Sequence, residues 1–243
     1  MKENNIREKY KETIRQLVDL GANSKKTLNK ALQLAAEGGH TDIVKFFIEK
    51  GADVTAKNNN AICLASKGGH IEVVKLLLEN GADATADYNY PIIKAAEIGN
   101  KELVELLLEN GAKGTDKIAE YDGPVRRAIR GGHIEVVKLL IEHGADINYS
   151  IAIFDAAEAG NAELVKLLIA HGANVNATIT EYGGSSSPLE YAIRSKDIET
   201  IKVLLENGAD IEFLKKSDMQ LALLCDPNIL LKDIIKYLSN SLK

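Results

Sequence analysis

The strongest constraint on this chain is that it repeats itself. Residues 68–83 read GGHIEVVKLLLENGAD and residues 131–146 read GGHIEVVKLLIEHGAD, with two differences in sixteen positions. Paler copies surround both. Gly-Ala pairs followed by Asp, Asn or Lys begin at Gly21, Gly51, Gly81, Gly111, Gly144, Gly172 and Gly208, at spacings of 30, 30, 30, 33, 28 and 36 residues. A second mark, His40, His70, Asn100, His133, Asn161 and Asp197, advances by 30, 30, 33, 28 and 36. The two marks move together, so the changes in length fall in the connection after each Gly-Ala. Periods of this size mean stacked supersecondary units.

Each unit predicts two short helices. After the mark come stretches such as IEVVKLLLEN, KELVELLLEN (101–110) and AELVKLLIAH (162–171), with apolar residues on one helical face. The glycine that follows supplies a left-handed stop. Before the mark comes an alanine-rich stretch whose Ala35, Ala65, Ala95, Ala128, Ala156 and Ala192 stand five residues ahead of it. A small side chain there lets neighbouring helices approach. Pro91, Pro124 and Pro188 open three of these helices, where a missing N–H costs little. Helices of roughly ten residues are marginal alone. Each must therefore bury its stripe against the next copy.

Composition narrows the function classes. Net charge is −5 with acids and bases mixed along the chain, which argues against nucleic-acid binding, since that would call for a basic stripe. Aromatics are 5% of residues and Trp is absent, which suits a thin layered core of Ala, Leu, Ile and Val better than the thick core of an enzyme. Two distant cysteines, Cys63 and Cys225, suit a reducing compartment. The opening MKENNIREKYKETIRQL lacks the apolar core of a signal peptide, and no apolar run approaches the ~20 residues of a membrane span. A soluble, cytoplasmic protein with no membrane association is expected.

The phased segments, GGHIEVVKLLLENGAD above all, resemble the second half of an ankyrin repeat over about residues 24–210. Of the family's Thr-Pro-Leu-His opening, Leu or its like is kept but Thr and His are not; those positions read KALQ, NAIC, YPII, GPVR, IAIF and SPLE. The resemblance implies an all-α ankyrin-repeat solenoid of stacked antiparallel helix pairs. Three units fall three residues short of the usual 33, so short turns are expected in place of most hairpins. One domain over 1–243 is expected: an N-terminal capping helix at 1–23, six repeats at 24–210 and a capping helix pair at 211–243. Capped ends suggest a whole protein. Short units of this kind resemble arrays of large DNA viruses and intracellular bacteria, implying action on host proteins, with the host cell as a further location. The resemblance also implies that His40, His70 and His133 tie backbone at the inter-helix turn. It marks Asn148 and Asn176 as matching an asparagine that ankyrin repeats can have hydroxylated.

No catalytic constellation emerges. GANSKKT (21–27) lacks the second glycine of a phosphate loop, and GGSSSP (183–188) has no base nearby and reads as a flexible loop with Ser187 as helix cap. The marking histidines sit at least one repeat apart, too far for shared metal ligation. His143 and His171 end their helices, where the dipole favours a cation. Cys63 and Cys225 read as small core residues. Glu72/Lys75, Glu135/Lys138, Glu163/Lys166 and Glu199/Lys202 are i,i+3 pairs of a solvated outer face, while Glu102, Glu105 and Glu109 make a small acidic patch. No cofactor, no metal and no enzymatic activity are expected.

Two features point to a surface. Three residues before each mark stand Glu37, Lys67, Glu97, Arg130, Glu158 and Arg194, alternating in sign. They read either as a ladder of salt bridges between neighbouring first helices or as partner contacts on the concave face. Twelve before the mark stand Tyr88, Tyr121 and Tyr149, with Tyr90 and Tyr182 in the same connections. Tyrosine in turns reads as contact area at low entropy cost, or as a cover for the gap left by a shortened hairpin. The expected function is non-catalytic binding of a protein partner by a monomer. Its candidate partner-binding residues are Tyr88, Tyr90, Tyr121, Tyr149, Tyr182, Lys67, Glu97, Arg130 and Glu158. The alternative is a structural, self-assembling homo-oligomer.

Overall fold

Alternation of alanine-rich and leucine-rich stripes produces alternation of helices. The structure is a computed structural model that describes Gln16 and residues 24–113, 123–147, 151–181 and 184–211. Apart from Gln16 and Ile211, the proposed capping elements at 1–23 and 211–243 lie outside those residues, as do Tyr121, Asn148, Tyr149, Tyr182 and Cys225. Contacts divide the chain into two units, residues 1–118 and 119–243.

The first unit contains α1 (Lys25–Glu37), α2 (Thr41–Glu49), α3 (Ala56–Lys67), α4 (Ile71–Glu79), α5 (Ala86–Glu97) and α6 (Lys101–Glu109). The first helices α1, α3 and α5 pack side by side, and α2, α4 and α6 form a second layer against them. The second unit repeats this arrangement with α7 (Pro124–Arg130), α8 (Ile134–Glu142), α9 (Ala152–Glu158), α10 (Ala162–Ala170), α11 (Pro188–Ser195) and α12 (Ile198–Glu206). Here α7, α9 and α11 make one layer and α8, α10 and α12 the other. The fold is an all-α ankyrin-type solenoid, with six helix pairs among the described residues.

The register alanines sit where those layers meet. Ala65, Ala95, Ala128, Ala156 and Ala192 are fully buried, and so are Leu77, Leu107, Leu140, Leu168 and Leu204 on the second helices. Each second helix then stops the same way. Asn80, Asn110 and Asn207 donate side-chain N–H groups to the carbonyls four residues back, at 2.8, 2.8 and 2.7 Å. His143 and His171 do the same through Nδ1, at 2.8 and 2.9 Å. Except at Leu76, these carbonyls also accept the backbone N–H of the same residue, so the side chain adds a second bond in the last turn. Gly81 follows at φ +91°, the left-handed conformation expected of it.

The marks begin the second helices, but not by one mechanism. Asn100, Asn161 and Asp197 accept hydrogen bonds from Leu103 N, Leu164 N and Thr200 N at 3.0, 3.1 and 2.7 Å. The three histidines do not cap with their side chains. His70 donates from Nε2 to the carbonyl of Glu37, one repeat earlier, at 3.0 Å. The backbone tie implied by the resemblance is thus present there, and it links repeats. Gly39, at φ +70°, makes room for it: a Cβ there would lie 2.5 Å from His70 Nδ1. The same step in the last repeat is Lys196, also left-handed at φ 61°.

The connections follow their lengths. Two connections of 30-residue units, after Gly51 and Gly81, each turn through three consecutive left-handed residues: Lys57, Asn58 and Asn59 at φ 54°, 56° and 59°, then Asp87, Tyr88 and Asn89 at 48°, 57° and 61°. These are the blunt turns expected. They precede the helical parts of α3 and α5, so Pro91 stands at a helix opening, as do Pro124 and Pro188. The longest connection forms a hairpin, β1 (Ile179–Glu181) with β2 (Gly184–Ser186), pairing Ile179 with Ser186 and Thr180 with Ser185. The expectation of a flexible loop at GGSSSP is therefore corrected: the extra residues let backbone donors and acceptors pair across the turn. Ser187 does cap α11, in a reciprocal box with Glu190.

Candidate interaction surface

Asparagines at one register hold the blunt turns. Asn29, Asn59 and Asn89 accept from the backbone N–H groups of Asp53, Asp83 and Lys113, each 24 residues on, at 2.7, 2.9 and 3.4 Å. Their 30-residue spacing was a visible signal that motif reading passed over. Asp53 and Asp83 in turn each accept from a Thr two residues later, through both its N–H and its hydroxyl. The Thr55 hydrogen bonds, the side-chain one foremost, hold the Asp53 carboxyl below the ordinary carboxylate value. Asn176 plays the same part in the longest connection, donating to Gly208 O at 2.9 Å and accepting from Asp210 N at 2.8 Å.

Asn and Asp tolerate left-handed backbone; Lys57 and Tyr88 hold it at a cost of about 1 kcal/mol each. Tyr88 is 67% exposed, so its ring does not cover its own helix pair. Tyr90 is half-buried, with Lys94 Nζ 5.4 Å from its ring centroid. Tyr88 and Tyr90 thus stand together at the start of α5, while Lys67 and Glu97 stand at the far ends of α3 and α5, roughly 10 Å of helix away.

The alternating charges do not form the ladder. Among the described residues no ion pair joins Glu37 to Lys67, Lys67 to Glu97, or Glu158 to either Arg130 or Arg194. Lys67 and Glu158 are exposed. Glu97 accepts from Lys94 on its own helix at 2.6 Å. Arg130 turns instead to Asp155 on α9, Nε to Oδ1 at 3.1 Å, and Arg126 reaches the same carboxylate, Nε to Oδ2 at 2.5 Å. Asp155 is 4% exposed and Arg126 12%. The buried carboxylate outcompetes the exposed Glu158 because attraction strengthens as water is excluded. On the outer face only Glu135–Lys138 closes among the four expected i,i+3 pairs, at 2.7 Å; Lys166 crosses to Glu199 of the next repeat at 3.1 Å. The Glu135 hydrogen bond raises the Lys138 pKa.

A groove runs between α1 and the turn that precedes α3. Lys26, Asn29, Lys30, Gln33, Ala56 and Lys57 line it. Only a folded turn brings Lys57 beside α1, so sequence order hides the grouping.

Cys63 is buried on α3, and burial, with a smaller push from the Asp87 charge, raises its thiol pKa to about 12. At pH 8 the thiolate fraction is then on the order of one in ten thousand. A C225S variant is expected to react with a thiol reagent at pH 8 only after denaturant is added; rapid labelling of the folded chain would contradict the core position. Because the unfolded thiol ionises first, this burial favours the folded state below pH 9 and that contribution declines as pH rises towards 12. Among the described residues no cluster of His, Cys, Asp and Glu is placed to hold a metal ion, and no helix is long and apolar enough to cross a membrane.

Comparison with known proteins agrees with this architecture. The family model for ankyrin repeats (3 copies) matches residues 5–88, 83–151 and 149–214. The chain belongs to the ankyrin repeat family. The solved human ASB11 ankyrin repeat domain resembles it at 26% identity and a TM-score of 0.67, over 80% of this chain and 97% of that one. No curated protein matches the chain. Ankyrin repeats are generally protein–protein interaction modules and typically non-catalytic.

Proposed function

We propose that this ankyrin protein is a non-catalytic recognition module. It binds a protein partner through its turn tips and first-helix face, as a cytoplasmic monomer. Tyr88 carries the reading: a large ring, 67% exposed, held on a left-handed residue where glycine or asparagine would be less strained. Backbone strain persists where the surroundings over-determine it, and it concentrates at functional positions. Tyr90, Lys67 and Glu97 extend that surface within the first unit. Arg130 and Glu158 contribute in the second, and Tyr121, Tyr149 and Tyr182 complete the set. Hydrogen bonds accepted by Asn59 and Asn89 hold the turns at 57–59 and 87–89, so little conformational entropy would be lost there on binding.

The experiment is affinity capture from native cells with the full chain, Tyr88→Gly and the triple Tyr88→Ser, Tyr121→Ser, Tyr149→Ser. Tyr88→Gly is expected to leave stability unchanged or raise it by up to about 1 kcal/mol, because glycine adopts this backbone freely. Capture is expected to fall sharply. A large loss of stability with capture retained would assign the ring a structural role. Light scattering is expected to give the monomer mass over a broad concentration range; a mass that grows with concentration would favour self-assembly.

A further inference from the structure

We propose that the groove between α1 and the Lys57 turn takes an acidic segment of the partner. This rests on the recognition reading above and names the chemistry of what is recognised. Lys26 and Lys30 lie one turn apart on α1, and Lys57 faces them from the neighbouring repeat. Among the described residues none of the three meets a carboxylate. Asp53, held by Asn29 of the groove, accepts from Thr55 and lies 3.8 Å from Lys25. Three cations therefore share one concavity with no carboxylate paired to them among the described residues, on a chain whose net charge is −5.

Gln33 adds an amide to the same groove. It lines the groove and is 2% exposed as a whole residue. Its amide N–H groups can donate to a carboxylate seated there. Asn29 has its Oδ1 committed to Asp53 N, which leaves its Nδ2 group to donate. The floor thus offers amide donors between ammonium groups, the pattern that fits carboxylates.

Extent distinguishes a peptide from a nucleic acid. One repeat along, the registers of Lys30 and Lys57 hold Asn60 and Asp87, and those of Lys26 hold Ala56 and Ala86. The basic patch is one repeat wide. A nucleic acid would need a stripe; a short run of Asp and Glu fits the space.

The test is anisotropy of a fluorescein-labelled peptide of Glu-Asp-Ser repeats titrated with the full chain. Its Gln-Asn-Ser counterpart serves as control. The expected result is salt-sensitive binding of the acidic peptide alone. The set K26E, K30E and K57E is expected to weaken it by at least about tenfold, against less than about twofold for K45E, K75E and K202E, which make the same charge change on second helices. Lys57→Gly, compatible with the left-handed backbone, gives a variant that keeps the fold and is expected to lose part of the affinity. Equal losses from both sets, equal binding of the neutral peptide, full competition by inorganic phosphate, or tighter binding of a single-stranded oligonucleotide would each overturn the assignment. A native partner lost with Tyr88→Ser but retained by the lysine set would leave the recognition reading standing and remove this one.

Discussion

Asp155→Ala is expected to destabilise the second unit by about 3–5 kcal/mol, the range for removing one partner of a buried ion pair. The carboxylate is 4% exposed and receives both Arg126 and Arg130. Truncation removes a buried carboxylate that compensates the desolvation of the Arg126 guanidinium, 12% exposed. Arg130, about half exposed, can return to water and adds little. The two arginines lie on α7 and the aspartate on α9, so the loss falls on the contact between adjacent first helices. Equilibrium denaturation by urea measures it. A double change, Asp155→Leu with Arg126→Met, is expected to recover most of the loss, since apolar pairs of similar volume replace buried ion pairs with little penalty. A loss below about 1 kcal/mol for Asp155→Ala would mean that water reaches the pair in solution.

Leu77→Ala is expected to cost about 2–5 kcal/mol, the transfer of the lost methyl groups plus the cavity they leave. Leu77 is fully buried on α4, which packs between α2 and α6. In a stack each repeat is sheltered only by its neighbours, so the damage is expected to be local. Hydrogen exchange should show protection falling in α2, α4 and α6 while the amides of α10 and α12 keep theirs. Uniform loss across the whole chain would mean a single shared core.

Much of this architecture is legible in the sequence because the repeat supplies its own alignment. The alanines five before each mark and the glycines after each second helix recur in phase, and physics assigns each one role. The first-helix charges show where that reasoning stops. Arg130 and Glu158 occupy equivalent registers, and alternation of sign suggested that they meet. Side-chain direction and burial decide otherwise, and the arginine turns to Asp155. That register holds Leu34 and Leu64 in other repeats, so periodicity gave no hint of an acid receptor. The blunt turns were legible as short, but not as three left-handed residues in succession, because AKNNN and ADYNY carry no glycine to announce them. The lysine groove depends on that geometry and was hidden with it. Tyr88 and Tyr90 were legible by register, and their different exposures were not.

The glycine step before each mark has a consequence for how such an array lengthens. Gly39, Gly69, Gly99, Gly132 and Gly160 present bare backbone, and His70 and Asp197 lie close against Gly39 and Gly160. Any of these five junctions can accept an inserted copy, since the newcomer brings its own mark and meets an empty step. Lys196 fills the sixth. A copy with a histidine mark placed after it would meet a side chain where the other junctions offer bare backbone.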